Sequence, residues 1–155
     1  MNIASLLTSD RILCGAASTS KKRLLETLAD MLAKDLPELD VTTVFEGLLH
    51  RERLGSTGIG HGVAIPHGRL PGVSKPIGAL ITLHEGIDYD APDQQPVDLL
   101  FALIVPEEST EEHLQILATL AQSFSSEETA NLLRQCTDNE QVLMVTGRWE
   151  VPTAA

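Results

Sequence analysis

The sequence predicts a single α/β domain in which a small mixed β-sheet is sandwiched between helices. Three observations lead there. Apolar residues recur at helical spacing before residue 55 and again after residue 109, while the stretch between them holds apolar runs of strand length. One of those runs, DLLFALIV within Val97 to Val105, is apolar without interruption from Leu99 onward, as a strand covered on both faces must be. Finally, 155 residues with 43% hydrophobic content suit one domain that encloses its own core. No repeat or internal linker divides the chain. The domain is expected over residues 1–149, with 150–155 as a loose tail.

Taken in order, Ile3 to Leu7 reads as a short turn and Arg11 to Cys14 as a small strand. Ser18, Thr19 and Ser20 offer N-cap oxygens to a helix from Lys21 to Lys34 with Leu24, Leu25, Leu28, Met31 and Leu32 on its apolar face; Pro37 ends it. Asp40 is placed to cap a second helix, whose stripe is Val41, Val44, Phe45, Leu48 and Leu49 and whose terminator is Gly55. This helix carries Arg51 to the edge of a glycine-rich stretch, where a solvated surface charge is the alternative reading. Val63 to Ile65 forms a short strand that Pro66 interrupts, and Pro71 and Gly72 mark a turn. Ile77 to Leu83 and Val97 to Val105 are the main strands, separated by the loop residues Asp88, Asp90, Pro92 and Asp93. Pro106 stops the central strand. Ser109 with Glu112 then makes a capping-box pattern for a helix carrying Leu114, Leu117, Leu120, Ala121 and Phe124, which puts His113 in its first turn. The pattern repeats at Ser125 with Glu128 and at Asp138 with Gln141, so two more short helices close the chain.

A formal charge of −11 argues against broad affinity for nucleic acid or anionic membrane. The charge is uneven: nine Lys or Arg stand against eight Asp or Glu through Lys75, and two against fourteen beyond it. Aromatics make up only 3%, too few for base-stacking platforms. Cys14 and Cys136 lack the spacing of a metal knuckle or redox pair and read as buried free thiols. No leader pattern or apolar run of membrane-spanning length is present, which leads to the expectation of a cytoplasmic protein.

Chemistry concentrates between Arg51 and Leu70, RERLGSTGIGHGVAIPHGRL. Gly55, Gly58, Gly60, Gly62 and Gly68 let the backbone turn and approach a ligand. Arg51, Ser56, Thr57 and Arg69, with exposed backbone amides, suit an anion; four basic residues and one acidic residue, Glu52, lie between Arg51 and Lys75. The GxGxG here precedes a strand, unlike a dinucleotide fingerprint, and no GxxxxGK[ST] occurs. His67, fixed after Pro66 and flanked by glycine, is the candidate nucleophile, since neutral imidazole attacks readily near physiological pH. His113 joins it if its helix N-terminus faces the loop, an end that also favours phosphoryl charge.

GSTGIGHGVAIPHGRL, followed by QPVDLLFALIVPEESTEEHLQIL, resembles the enzyme IIA family of the bacterial phosphotransferase system, mannitol and fructose class, and within it the nitrogen-regulatory branch. The resemblance covers nearly the whole chain. It implies a regulatory phosphocarrier in which His67 accepts a phosphoryl group on Nε2 from a histidine-containing phosphocarrier protein, with Nδ1 held by a backbone acceptor. His113 and Arg51 match the family's second histidine and its arginine, and their implied roles are to orient and neutralise the phosphoryl group. Ser56, Thr57, Gly68 and Arg69 are expected to bind phosphate or support the loop. No metal or cofactor is implied. His61 stands where the family is expected to favour a polar amide, and His50 and His84 match no catalytic motif. Potassium transport, sensor kinases and nitrogen or carbon metabolism are the processes the branch suggests for regulated targets. The competing readings are a sugar-specific IIA component passing phosphate to a IIB domain, a binding module that is not phosphorylated, and a metal hydrolase built on His61, His67 and His113.

Overall fold

The computed structural model describes residues 1–152. Two 3-10 turns, Ile3–Leu6 and Ser9–Arg11, lead into β1 (Ile12–Ala16), followed by α1 (Lys21–Ala33) and α2 (Val41–Arg53). Four strands come next in close succession, β2 (Gly58–Gly60), β3 (Val63–Ala64), β4 (His67–Leu70) and β5 (Ile77–Ile87), and then the central β6 (Val97–Pro106). Helices α3 (Glu111–Phe124), α4 (Glu127–Arg134) and α5 (Asn139–Thr146) complete the chain.

The sheet is mixed, in the order β1-β5-β6-β3-β2, with β4 also paired to β6. Strands β3 and β4 both run parallel to one edge of β6, and β5 runs antiparallel along the other. Alternation along β6 explains its unbroken apolar run from Leu99 to Val105. Leu100, Ala102 and Ile104 enter the core beneath α1 and α2, while Leu99, Phe101, Leu103 and Val105 enter a second core with Ile116, Leu120, Phe124, Leu133 and Val142. Both faces are therefore covered, and the predicted sandwich is the observed architecture.

Ser20, Asp40 and Asp138 cap their helices as expected, each accepting from the backbone N–H three residues on. Two caps differ. Helix α3 begins after Thr110, whose side chain makes no capping bond, because the Ser109 N–H donates to the Pro106 carbonyl at 3.1 Å in the turn that leaves β6. Helix α4 is capped by Ser126, one residue later than the pattern implies, since Ser125 still terminates α3 through its N–H to Ala121 O. The buried face of α3 is also different: His113, Ile116, Leu120 and Phe124 point inward, whereas Leu114 is 65% exposed. A histidine holds the first core-facing position, so the apolar pattern misplaces the face.

Strand β5 extends beyond Leu83 to Ile87, where pairing with Val97 outweighs the polar His84 and Glu85. The expected loose tail is held at its start. Glu150 bridges Asn2, the Val151 N–H donates to Met1 O at 2.8 Å, and Val151 is buried; residues 153–155 lie outside the described part. Cys14 and Cys136 are free, the first half-buried and the second buried. Among the described residues, no helix is long and apolar enough to cross a membrane.

Candidate functional site

Parallel pairing with β6 aligns His67 with Leu103 at the start of β4, next to the C-terminal turn of α2. Gly47 of α2 makes this closeness possible: a Cβ there would stand 2.7 Å from a side-chain carbon of Leu70 in β4. The result is a cleft of about 550 Å³ walled by α2, β4 and the first turn of α3. His67, Gly68, Arg69, Arg51 and His113 all line it, so residues more than sixty positions apart share one surface. His50, which matches no motif, also lines the cleft.

The imidazole of His67 is oriented by its own backbone. Pro66 keeps the preceding residue extended, and the Nδ1–H donates to the Ile65 carbonyl at 2.7 Å. Nδ1 is thus the protonated nitrogen, and Nε2 keeps a free lone pair. Burial holds the ring's pKa below the ordinary histidine value; the bond to Ile65 opposes this, the Arg51 guanidinium adds to it, and Glu52 opposes it. His113 lies beside it, with ring centroids 5.5 Å apart and planes at 58°. Burial, then the charges of His67 and Arg69, push His113 down to about 4. Its Nδ1 is buried without a hydrogen-bond partner among the described residues. Two neutral imidazoles therefore share the cleft at neutral pH, with two guanidiniums close by.

The arginine at the helix end is a built part of the site. Arg51 donates from a guanidinium nitrogen to the Gly55 carbonyl at 2.8 Å, which ties it across the turn leaving α2. Ser56 Oγ accepts from the Gly58 N–H at 3.1 Å and so shapes the loop. Thr57 is buried away from solvent, with its hydroxyl donating to Glu52 Oε1. His61 is exposed and does not line the cleft; its carbonyl accepts from Arg134. Among the described residues, no group of three His, Cys, Asp or Glu side chains is arranged to hold a metal ion, so His61, His67 and His113 form no such cluster.

One component escaped the reading of the loop. Glu52 is buried in the fold, and its carboxylate accepts from Lys21 Nζ at 2.9 Å, from the Thr57 N–H at 2.9 Å and from the Tyr89 hydroxyl at 3.0 Å. Lys21 also lies 4.5 Å from the centre of the Tyr89 ring. Burial alone would raise the Glu52 carboxyl, but the bonds from Thr57 and Lys21 outweigh it and the group stays below its ordinary value. The signal was present in the stripe of α2: Val44, Leu48 and Glu52 are spaced by four, so a carboxylate occupies an apolar position and needs partners.

Comparison with known proteins gives a consistent result. The family model described as "Phosphoenolpyruvate-dependent sugar phosphotransferase system, EIIA 2" matches residues 5–146. A nitrogen regulatory protein of Pseudomonas aeruginosa is 44% identical over 145 residues, covering 94% of each chain. The crystal structure of nitrogen regulatory protein IIA-Ntr from Neisseria meningitidis superposes with a TM-score of 0.89 at 42% identity, covering 93% of this chain and 98% of that one. The mannitol IIA of Escherichia coli shares the fold, with a TM-score of 0.74 at 21% identity over 90% of this chain and 98% of its own. On the match of nearly its whole length, the chain belongs to the enzyme IIA family of the phosphoenolpyruvate-dependent sugar phosphotransferase system, in its nitrogen-regulatory branch.

Proposed function

We propose that this phosphotransferase-system component is a regulatory phosphocarrier that accepts a phosphoryl group on Nε2 of His67 and presents its phosphorylation state to partner proteins. The observation that carries this reading is the Nδ1–H bond from His67 to Ile65 O, which frees Nε2 in a cleft shared with His113 and Arg51. The donor would be a histidine-containing phosphocarrier protein. In the transfer, the Nε2 lone pair forms the new N–P bond as the donor's N–P bond breaks, and its electron pair returns to the donor nitrogen. His67 keeps its Nδ1 proton throughout, so no base is required.

The surroundings suit that step. Phosphoryl transfer depends on in-line positioning and on neutralising the equatorial oxygens. Arg51 and Arg69 supply positive charge, and the first turn of α3 brings His113 and uncapped backbone N–H groups to the same side. The added phosphoryl group carries nearly two negative charges and would change the hydrogen bonding and charge of the exposed cleft, which is how its state would be read by partners.

Incubation with the phosphorylated donor is expected to give one acid-labile phosphate, located on His67 by fragmentation, and none in His67→Ala. Label of equal yield in His67→Ala would reject the assignment. Capture experiments with unmodified and phosphorylated protein should recover different partner sets; rapid dephosphorylation by a sugar-specific IIB domain would instead identify a sugar-uptake component.

A further inference from the structure

Glu52 is joined to the His67 ring by an unbroken series of hydrogen bonds. Its carboxylate accepts from the Thr57 N–H at 2.9 Å and from the Thr57 hydroxyl. The Thr57 carbonyl accepts from the Ile65 N–H at 3.0 Å. The Ile65 carbonyl accepts from His67 Nδ1 at 2.7 Å. Each of these two residues is thus gripped through both its N–H and its C=O. The series joins the end of α2 to the loop before β2 and then to the segment between β3 and β4.

We propose that Glu52 is the positioning residue of the phosphorylation site, fixing through Thr57 and Ile65 the carbonyl that selects the Nδ1–H tautomer of His67 and exposes Nε2. The influence is one of position. The N–H and C=O of Thr57 belong to different peptide groups, as do those of Ile65, so no single conjugated unit conducts polarisation along the series. What passes along is placement, and an acceptor 2.7 Å from Nδ1 is sensitive to small shifts.

Simple loop support is a weaker account of the same residue. A neutral group could fill this volume without the cost of burying a charge, yet an ionised carboxylate is kept here, compensated by Lys21 from the first turn of α1 and by Tyr89 from the segment after β5. A carboxylate supplies acceptors for all four donors and has no proton of its own to misplace, which an amide in the same position would have. It also lies close enough to His67 to favour the ring's protonated form, opposing Arg51. Arg51 and Glu52 are adjacent on α2, one facing the cleft and the other buried beneath it. A single helix end therefore sets both the charge at the site and the tautomer of its nucleophile.

This inference rests on the phosphocarrier reading for its consequence but is testable without it. Nitrogen-15 NMR of unmodified protein reports which imidazole nitrogen of His67 carries the proton. Wild type is expected in the Nδ1–H form, and Glu52→Gln as a mixture of tautomers with a lower His67 pKa. The phosphorylation rate of Glu52→Gln should fall about 10- to 100-fold, with partial rescue in Glu52→Asp. The double variant Lys21→Met/Glu52→Gln removes the ion pair without leaving an unpaired buried charge and serves where the single variant does not fold. A pure Nδ1–H tautomer and a rate within about twofold of wild type in either variant would overturn the proposal. If wild type is not phosphorylated at all, the functional reading fails, while the tautomer measurement still decides the role of Glu52.

Discussion

His61 adopts a φ of 56° and the next residue, Gly62, a φ of 79°. These are the two central residues of the hairpin joining β2 to β3, and positive φ at both is what a two-residue hairpin turn of the mirror-image kind demands. Glycine meets that demand freely and asparagine at small cost, and histidine meets it less readily than either. The departure from the family's expected polar amide is therefore a matter of backbone strain at a residue that does not line the cleft. His61→Asn is expected to raise stability by about 0.5–1 kcal/mol with no change in phosphorylation of His67, since only the main chain of His61 is used, by Arg134. Chemical denaturation of the two proteins under the same conditions checks it, and an unchanged or lower midpoint would count against the strain. Legibility at this scale was divided. His67 stood out by its setting between Pro66 and Gly68, but the partners of Thr57 could not be read, because a hydroxyl in a glycine-rich loop looks the same whether it faces solvent or a buried carboxylate.

At the scale of elements, the site depends on β6 holding two neighbours in register. Leu103 of β6 is opposite Gly78 of β5 on one side and His67 of β4 on the other. Gly78 is there to admit an aromatic ring: a Cβ would stand 2.7 Å from two ring carbons of Phe101, which is fully buried. Gly78→Ala is expected to destabilise the fold by about 1–3 kcal/mol, because a ring enclosed on all sides has no room to retreat. Urea unfolding should show a lower midpoint at an unchanged slope, and a midpoint equal to wild type would mean that the second core yields more easily than its packing implies. The strands and most helices were legible because their apolar periods are strong. The two shifted caps were not, since Ser109 and Ser125 each have a nearby backbone role that the capping pattern does not encode. The face of α3 was misread for a different reason. His113 is a polar residue spent on a core-facing position, and periodicity counts only apolar ones.

On the scale of the whole molecule, two of the eleven Lys and Arg residues of this acidic chain, Arg51 and Arg69, stand at the cleft, while the acidic excess falls after Lys75. Proximity of His113 to His67 was implied by the family resemblance and not by spacing, because only the sheet order brings the start of α3 to the start of β4. That placement has a consequence for stability. Burial, His67 and Arg69 lower His113 in the folded state to about 4, against an ordinary value of 6.5. Between those values the unfolded chain binds a proton that the folded protein refuses, so stability rises with pH through this window and is lost on acidification. A shift of this size corresponds to a loss of about 3 kcal/mol as an upper figure once the pH has fallen below 4. His67, lowered chiefly by burial, adds in the same direction. Carboxylates across the molecule titrate below pH 5 as well, so the informative quantity is the difference from a variant. In His113→Gln the unfolding free energy is expected to fall less steeply between pH 6.5 and 4.5 than in wild type, measured by denaturant titration at a series of pH values. Parallel pH profiles for the two proteins would show that His113 does not resist protonation in the folded state. In the proposed transfer the same resistance would matter at the site, because a neutral His113 would stand beside the Nε2 of His67 as a ring still able to take up a proton once the phosphoryl oxygens arrived.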